Sequence, residues 1–227
     1  MVKRSKRYKE LQAKITGGSQ YSIAEAVDLL KEQPTKFDGS IELHIKLGIN
    51  AKKSDQIVRG SVQLPHGTGK TVKIMAFVNS NQEAEAKEAG ADFIGTKEEI
   101  DKIKQTGKVD FEVAIATPDM MKQVGPIARI LGQKGLMPNP KNETVGTDVT
   151  KMIQALKAGK VNFRNDDTGN VHLGIGKVSF ETSQLIENIN NAIEAIRKAK
   201  PSTAKGIYMQ NTTLSSTMGP GIPISVA

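Results

Sequence analysis

In SIELHIKLGI, residues 40–49, Ile41, Leu43, Ile45, Leu47 and Ile49 alternate with Glu42, His44, Lys46 and Gly48. A period of two marks a strand with one apolar, core-facing side and one polar side. Upstream, the period is helical. Residues 5–15 read as a basic helix, and SIAEAVDLLKEQ (22–33) opens with Ser22 and Glu25 at capping-box spacing. Ile23, Ala26, Val27, Leu29 and Leu30 make one face of this second helix, and Pro34 stops it. Downstream, IVRGSVQ (57–63) is another extended segment, and LPHGTGK (64–70) is turn-rich, a candidate hinge.

Residues 71–158 have a different rhythm. TVKIMAFV reads as a strand, 82–89 as a helix closed by Gly90, and DFIG as a short strand. A helix over 97–106 is closed by Gly107, FEVAIAT (111–117) is a buried strand, and PDMMKQV and GPIARIL are helical. A last helix over 147–158 is closed by Gly159. Strands alternating with helices through short loops indicate an α/β layer with a largely parallel sheet.

At residue 160 the pattern changes again. VNFRN and VHLGIGKVSF flank DDTGN (166–170) as an expected hairpin. Residues 182–199 form a long amphipathic helix with Leu185, Ile189, Ala192, Ile193 and Ile196 on one face. GIYMQNTTLSS and PGIPISV read as final strands. Neither α+β bracket has enough strands for a sheet of its own. The two are therefore expected to form one discontinuous domain, 1–66 with 160–227, and 67–159 is an insertion in it. Charge divides in the same way. The insert holds 13 Lys+Arg and 12 Asp+Glu, whereas the brackets carry +7 of the total +8. The basic, discontinuous domain is thus expected to grip a polyanion.

Other classes are disfavoured. With no cysteine, the chain has no disulfide, thiolate metal site or cysteine nucleophile, which fits a reducing cytosol. No run of about 18 apolar residues predicts a membrane helix. MVKRSKRYKEL has no apolar core behind its charges and does not read as a secretory signal. HGTGKT (66–71) has Leu64 where a phosphate-binding loop needs its first glycine, and a strand follows it rather than a helix. No Gly-x-Gly-x-x-Gly joins a strand to a helix in the insert. His44, His66 and His172 lie far apart in sequence without ligand spacing, and Asp166-Asp167 suits turn chemistry better than acid–base catalysis. No catalytic residue, metal site or cofactor is expected.

Candidate nucleic-acid contacts are more numerous. Lys3, Arg4, Lys6, Arg7 and Lys9 form a basic run, either a phosphate contact or a solvated helix face. Phe37, beside Lys36 in a helix-to-strand loop, either stacks on a base or fills the core. Lys52, Lys53 and Arg59 make a second basic cluster. TLSSTMGPG (213–221) sets small hydroxyls, bare backbone and the polarizable Met218 at a strand end. That composition suits close approach to ribose and phosphate, and also an ordinary turn. GPIARILGQKGLMPNPK (125–141) runs from a short apolar helix into a loop carrying Lys134 and Lys141. It is either packed on the α/β unit or a partner contact.

These stretches also carry a family resemblance. VGPIARILGQKGLMPNPK resembles the signature of the family of large-subunit ribosomal protein one, and TLSSTMGPGIPI resembles its C-terminal strand. FRNDDTGNVHLGIGK and KFDGSIELHIKLGI look like further family segments, and the likeness spans the chain, closest to the bacterial form. The resemblance implies a split α+β RNA-binding domain with an inserted Rossmann-like α/β domain. It implies a non-enzymatic, cytoplasmic protein of the large ribosomal subunit, monomeric when free and without a membrane. Its partners would be the mobile lateral stalk of large-subunit ribosomal RNA, exit-site tRNA, whose release it assists, and its own messenger RNA, which it represses. Ribosomal RNA contacts would be Lys36, Phe37, Thr217, Met218 and Gly219, with Ser40 standing where threonine is expected. Asp166, Thr168 and His172 match the hairpin segment. Lys52, Lys53 and Arg59 would touch the tRNA elbow.

Overall fold

The computed structural model describes residues 4–15, 19–32 and 35–226. The cation expected at Lys3 and the helix stop expected at Pro34 lie outside them. The chain divides into two compact units, 1–69 with 161–227, and 70–160.

In the first unit, helix α1 (Lys6–Lys14) begins at Ser5, whose hydroxyl accepts from the Tyr8 N–H. Helix α2 (Ile23–Lys31) has the expected capping box. The Ser22 hydroxyl accepts from the Glu25 N–H and the Glu25 carboxylate from the Ser22 N–H, so two otherwise orphaned donors are satisfied. Strand β1 (Ser40–Leu47) follows, then β2 (Arg59–Gln63).

The second unit contains β3 (Ile74–Phe77), α3 (Glu83–Glu88), β4 (Phe93–Ile94), α4 (Lys97–Thr106) and β5 (Val113–Ala116). The short helices α5 (Met121–Val124) and α6 (Ala128–Gln133) and the longer α7 (Val149–Lys157) complete it. Its strands run parallel in the order β4-β3-β5. All four residues of β3 are buried because both faces of the sheet are covered. Met75 and Phe77 face Ile100, Ile103, Val124, Ile127 and Leu131 on one side. Ile74 and Ala76 face Ala86, Val149, Ile153 and Leu156 on the other.

The chain returns to the first unit through β6 (Lys160–Arg164), β7 (Asn170–Lys177), α8 (Thr182–Lys198), β8 (Met209–Ser216) and β9 (Ile222–Pro223). Its main sheet has the order β7-β1-β8-β9, antiparallel throughout. Ile41, Leu43, Ile45 and Leu47 are buried against Leu185, Ile189, Ala192, Ile193 and Ile196 of α8. Fully burying such a side chain contributes roughly 1.5–3 kcal/mol, so this face of β1 determines where α8 packs.

The expected hairpin is corrected. β6 pairs with β2, and only one bridge, Asn165↔Val171, joins its end to β7. Asn165 diverts the chain. Its N–H donates to Val58 O at 3.0 Å, and its buried Oδ1 accepts from the Val58 N–H at 2.8 Å. DDTGN still turns the chain, but the strands leaving it belong to different sheets.

Candidate nucleic-acid interface

Burying one side of β1 leaves the other side wet, and pairing extends that surface over three strands. Glu42, His44 and Lys46 stand beside Gly174, His172 and Asn170 of β7 and beside Ser215, Thr213 and Asn211 of β8. Glu42 is the one carboxylate among these positions. From Ser40 to Lys46 the surface extends about 20 Å at roughly 3.3 Å per residue.

At one end lies the TLSSTMGPG turn. Thr217 is fastened to β1: its N–H donates to Ser40 O at 3.0 Å and its Oγ1 accepts from the Ser40 N–H at 3.0 Å. The Gly219 N–H closes the turn on Ser216 O at 2.8 Å. Between them Met218 holds φ +63°, a left-handed conformation that non-glycine residues seldom adopt. Its side chain is 72% exposed. Phe37 is 47% exposed, which settles the alternatives left by the sequence against the core. A Cβ built on Gly39 would lie 3.9 Å from both the Phe37 ring and Thr217 Cβ, so the loop and the turn flank one glycine. Lys36 is exposed beside them. Lys177, paired in register with Ser40, donates to Ser40 Oγ at 3.1 Å. The structure therefore brings Lys36, Phe37, Ser40, Thr217, Met218 and Gly219 together and adds Lys177.

Asp166 and Thr168 lie at the opposite end. The Asp166 carboxylate accepts from the Asn170 N–H at 2.6 Å and the Thr168 N–H at 2.9 Å, as well as from the Thr168 hydroxyl. Desolvation pushes this carboxyl up, but those hydrogen bonds outweigh it and hold Asp166 well below the usual carboxylate range. Its lone pairs serve the turn, as the bare sequence suggested. Lys46 donates to Thr168 O and ties this loop to β1.

The middle of the surface joins two residues that the sequence left separate. His44 and His172, far apart in sequence, are opposite in register, with their Nδ1 atoms 2.8 Å apart. His44 Nε2 lies 2.9 Å from Ser215 Oγ. Burial, then His172, lowers the His44 pKa, while Glu42 at 3.7 Å opposes the shift. Only the polar-face position of His44 was legible in the sequence; its partner required the strand order.

The other basic groups are dispersed. Lys52 and Lys53 are exposed beyond the Leu47 end of β1, away from the Thr217 turn, and half-exposed Arg59 opens β2. Arg4, Lys6 and Lys9 are exposed, with the Arg4 guanidinium 4.8 Å from the Tyr8 ring centre. In the second unit, the 125–141 stretch packs on the α/β unit through Ile127 and Leu131, which enter the core, while Lys134 and Lys141 face solvent. Gly67 and Gly69 take φ +64° and +70°, and no helix follows them, so HGTGKT lacks the geometry of a phosphate loop. Among the described residues, no group of three or more His, Asp or Glu is placed to hold a metal, and no helix is long and apolar enough to cross a membrane.

Residues 29–220 match the ribosomal protein L1p/L10e family. The chain belongs to that family. It is also 53% identical over 225 residues to the large ribosomal subunit protein uL1 of Kosmotoga olearia, covering 99% of this chain and 97% of that protein. The family membership bears out the resemblance carried by residues 124–141 and 213–224, in its bacterial form. Members of this family are structural rather than catalytic.

Proposed function

We propose that the protein is a structural component of the cytoplasmic large ribosomal subunit, and that its discontinuous unit holds the mobile lateral stalk of ribosomal RNA. The observation that carries this reading is the Thr217–Gly219 turn. A pinned threonine, an exposed methionine in a strained backbone and a half-exposed phenylalanine stand together at the end of a polar sheet face. A solvent-exposed apolar pair held by fixed backbone suits close packing against ribose and base, while neighbouring lysines supply phosphate affinity. Phe37, Ser40 and Thr217–Gly219 form the primary contact. His172 lies on the same face, and Asp166 and Thr168 shape the loop at its far end. A photo-crosslinker at position 218 should label the stalk RNA in assembled subunits. Labelling confined to other RNA regions would remove this turn from the interface.

Two further roles are proposed on the same surface chemistry. The protein represses translation of its own messenger, because an RNA segment that copies the stalk would compete for the same face. Added protein should then silence that messenger in a translation extract, and excess stalk fragment should relieve the block. Lys52, Lys53 and Arg59, set away from the Thr217 turn, contact exit-site tRNA and assist its release. Changing all three to Gln should slow tRNA departure without weakening stalk binding.

A further inference from the structure

The chain has three histidines. His66 is engaged elsewhere, its Nε2 lying 2.8 Å from the Glu187 carboxylate. His44 and His172 meet in the centre of the polar sheet face, edge to face, with ring centres 5.0 Å apart. A hydrogen bond between two Nδ1 atoms requires one ring to donate and the other to present a bare lone pair. The accepting ring is therefore neutral. The contacts are satisfied when His44 accepts at Nδ1 from His172 and donates through Nε2–H to Ser215 Oγ. A second charge on the pair breaks that hydrogen bond and sets two cations against each other.

The surroundings are mixed in sign. β1 contributes Glu42, 3.7 Å from His44 Nε2, and Lys46 one outward position further along. The loop before β7 contributes Asp166, 3.6 Å from His172 Nε2, and the exposed Asp167. β8 contributes no ionisable group at the neighbouring positions, only Asn211, Thr213 and Ser215. His172 is 54% exposed and His44 29% exposed at their side chains, so a ligand on this face can reach both.

We propose that His44 is an RNA-contact residue, and that His44 and His172 together take up a proton when RNA binds. The inference rests on the sheet face being the RNA surface. A backbone phosphate over the pair favours the charged form of both rings and offsets their mutual repulsion. The His44 Nδ1–H freed from His172 then becomes a donor to phosphate or ribose. Since burial and His172 keep free His44 below its ordinary value, uptake occurs near and below neutrality, and binding strengthens as pH falls.

The test uses the full chain and the stalk fragment of large-subunit ribosomal RNA as probe, with scrambled RNA alongside. Calorimetry at pH 6.5 in two buffers of different ionisation enthalpy counts protons. The expected result is an uptake of roughly half to one proton per complex, with Kd tightening up to about tenfold per pH unit within the titrating window. His44→Gln and, separately, His172→Gln remove this uptake, whereas His66→Gln keeps it. Circular dichroism confirms that the variants fold, and exposed His172 provides the variant least coupled to folding. Selective stalk binding with no proton uptake, or uptake that survives both His44→Gln and His172→Gln, overturns the inference and leaves the RNA surface standing. Loss of the preference for stalk over scrambled RNA at every pH overturns both.

Discussion

Met218→Gly separates binding from folding because the two effects have opposite signs. Met218 adopts φ +63°, a conformation that costs a non-glycine residue about 1–2 kcal/mol. Glycine removes that cost but adds roughly 0.5–1 kcal/mol of backbone entropy, so the net change in folding stability is about 0 to +1.5 kcal/mol. Losing side-chain packing costs the fold little, since Met218 is 72% exposed. Bound RNA is expected to cover this exposed surface. Full burial of a methionine is worth about 1.5–3 kcal/mol; scaled by the exposed fraction, the lost contact is about 1–2 kcal/mol. Stalk binding should therefore weaken by ~5- to 30-fold, as each 1.4 kcal/mol is tenfold. Urea unfolding and fluorescence anisotropy read the two quantities on one preparation. Met218→Leu should recover most of the affinity. A glycine variant that binds like the original protein, or that loses more than about 1 kcal/mol of stability, would refute the reasoning.

Three other variants probe the supporting structure. Asn188 is fully buried, with Nδ2 donating to Ile175 O at 2.9 Å and Gly67 O at 3.0 Å, and Oδ1 accepting from the His66 N–H at 3.2 Å. Asn188→Ala leaves those groups unpaired and should lower stability by about 2–4 kcal/mol, read from the urea midpoint. A Cβ on Gly95 would fall 2.1 Å from Phe77 Cδ1, so Gly95→Ala should destabilise the 70–160 unit by about 1–3 kcal/mol. Stalk affinity should remain within about twofold, and a larger loss would place the second unit in the interface. The lowered pKa of His44 means that the unfolded chain binds a proton there more readily than the folded one. Stability is therefore full above the ordinary histidine value of about 6.5 and declines as pH falls through the lowered one. His44→Gln should flatten that decline between neutral and mildly acid pH, as measured by urea midpoints.

Much of the fold is local and was legible. The alternation over 40–49 identified β1 and its buried face, and the helical face from Leu185 to Ile196 identified α8. In the second unit, Gly107 closes α4 with φ +65°, as its place after a helical run suggested. The illegible parts depend on distant partners. DDTGN has hairpin chemistry, but Asn165 commits β6 to Val58, more than 100 residues earlier. His44 and His172 became neighbours only through strand order, 128 positions apart in sequence. Phe37 was ambiguous because exposure depends on what else packs nearby. Met218 gave a compositional hint and no sign of its backbone, since nothing in the side chain itself favours positive φ. Lys177 was missed because its place beside Ser40 is set by register.

On the proposed function, the sheet face distinguishes RNA structure as well as charge. The direct measurement is the affinity of the full chain for the stalk fragment and for a scrambled RNA of equal length, across a salt series. Charge contacts weaken linearly on a log–log plot for both RNAs, whereas the close contacts proposed for Phe37 and Thr217–Gly219 would not depend on released counterions. The expected result is parallel slopes with a preference for the stalk that persists at high salt. Two lines that coincide, with binding lost to both as salt rises, would contradict the account and leave only a basic surface.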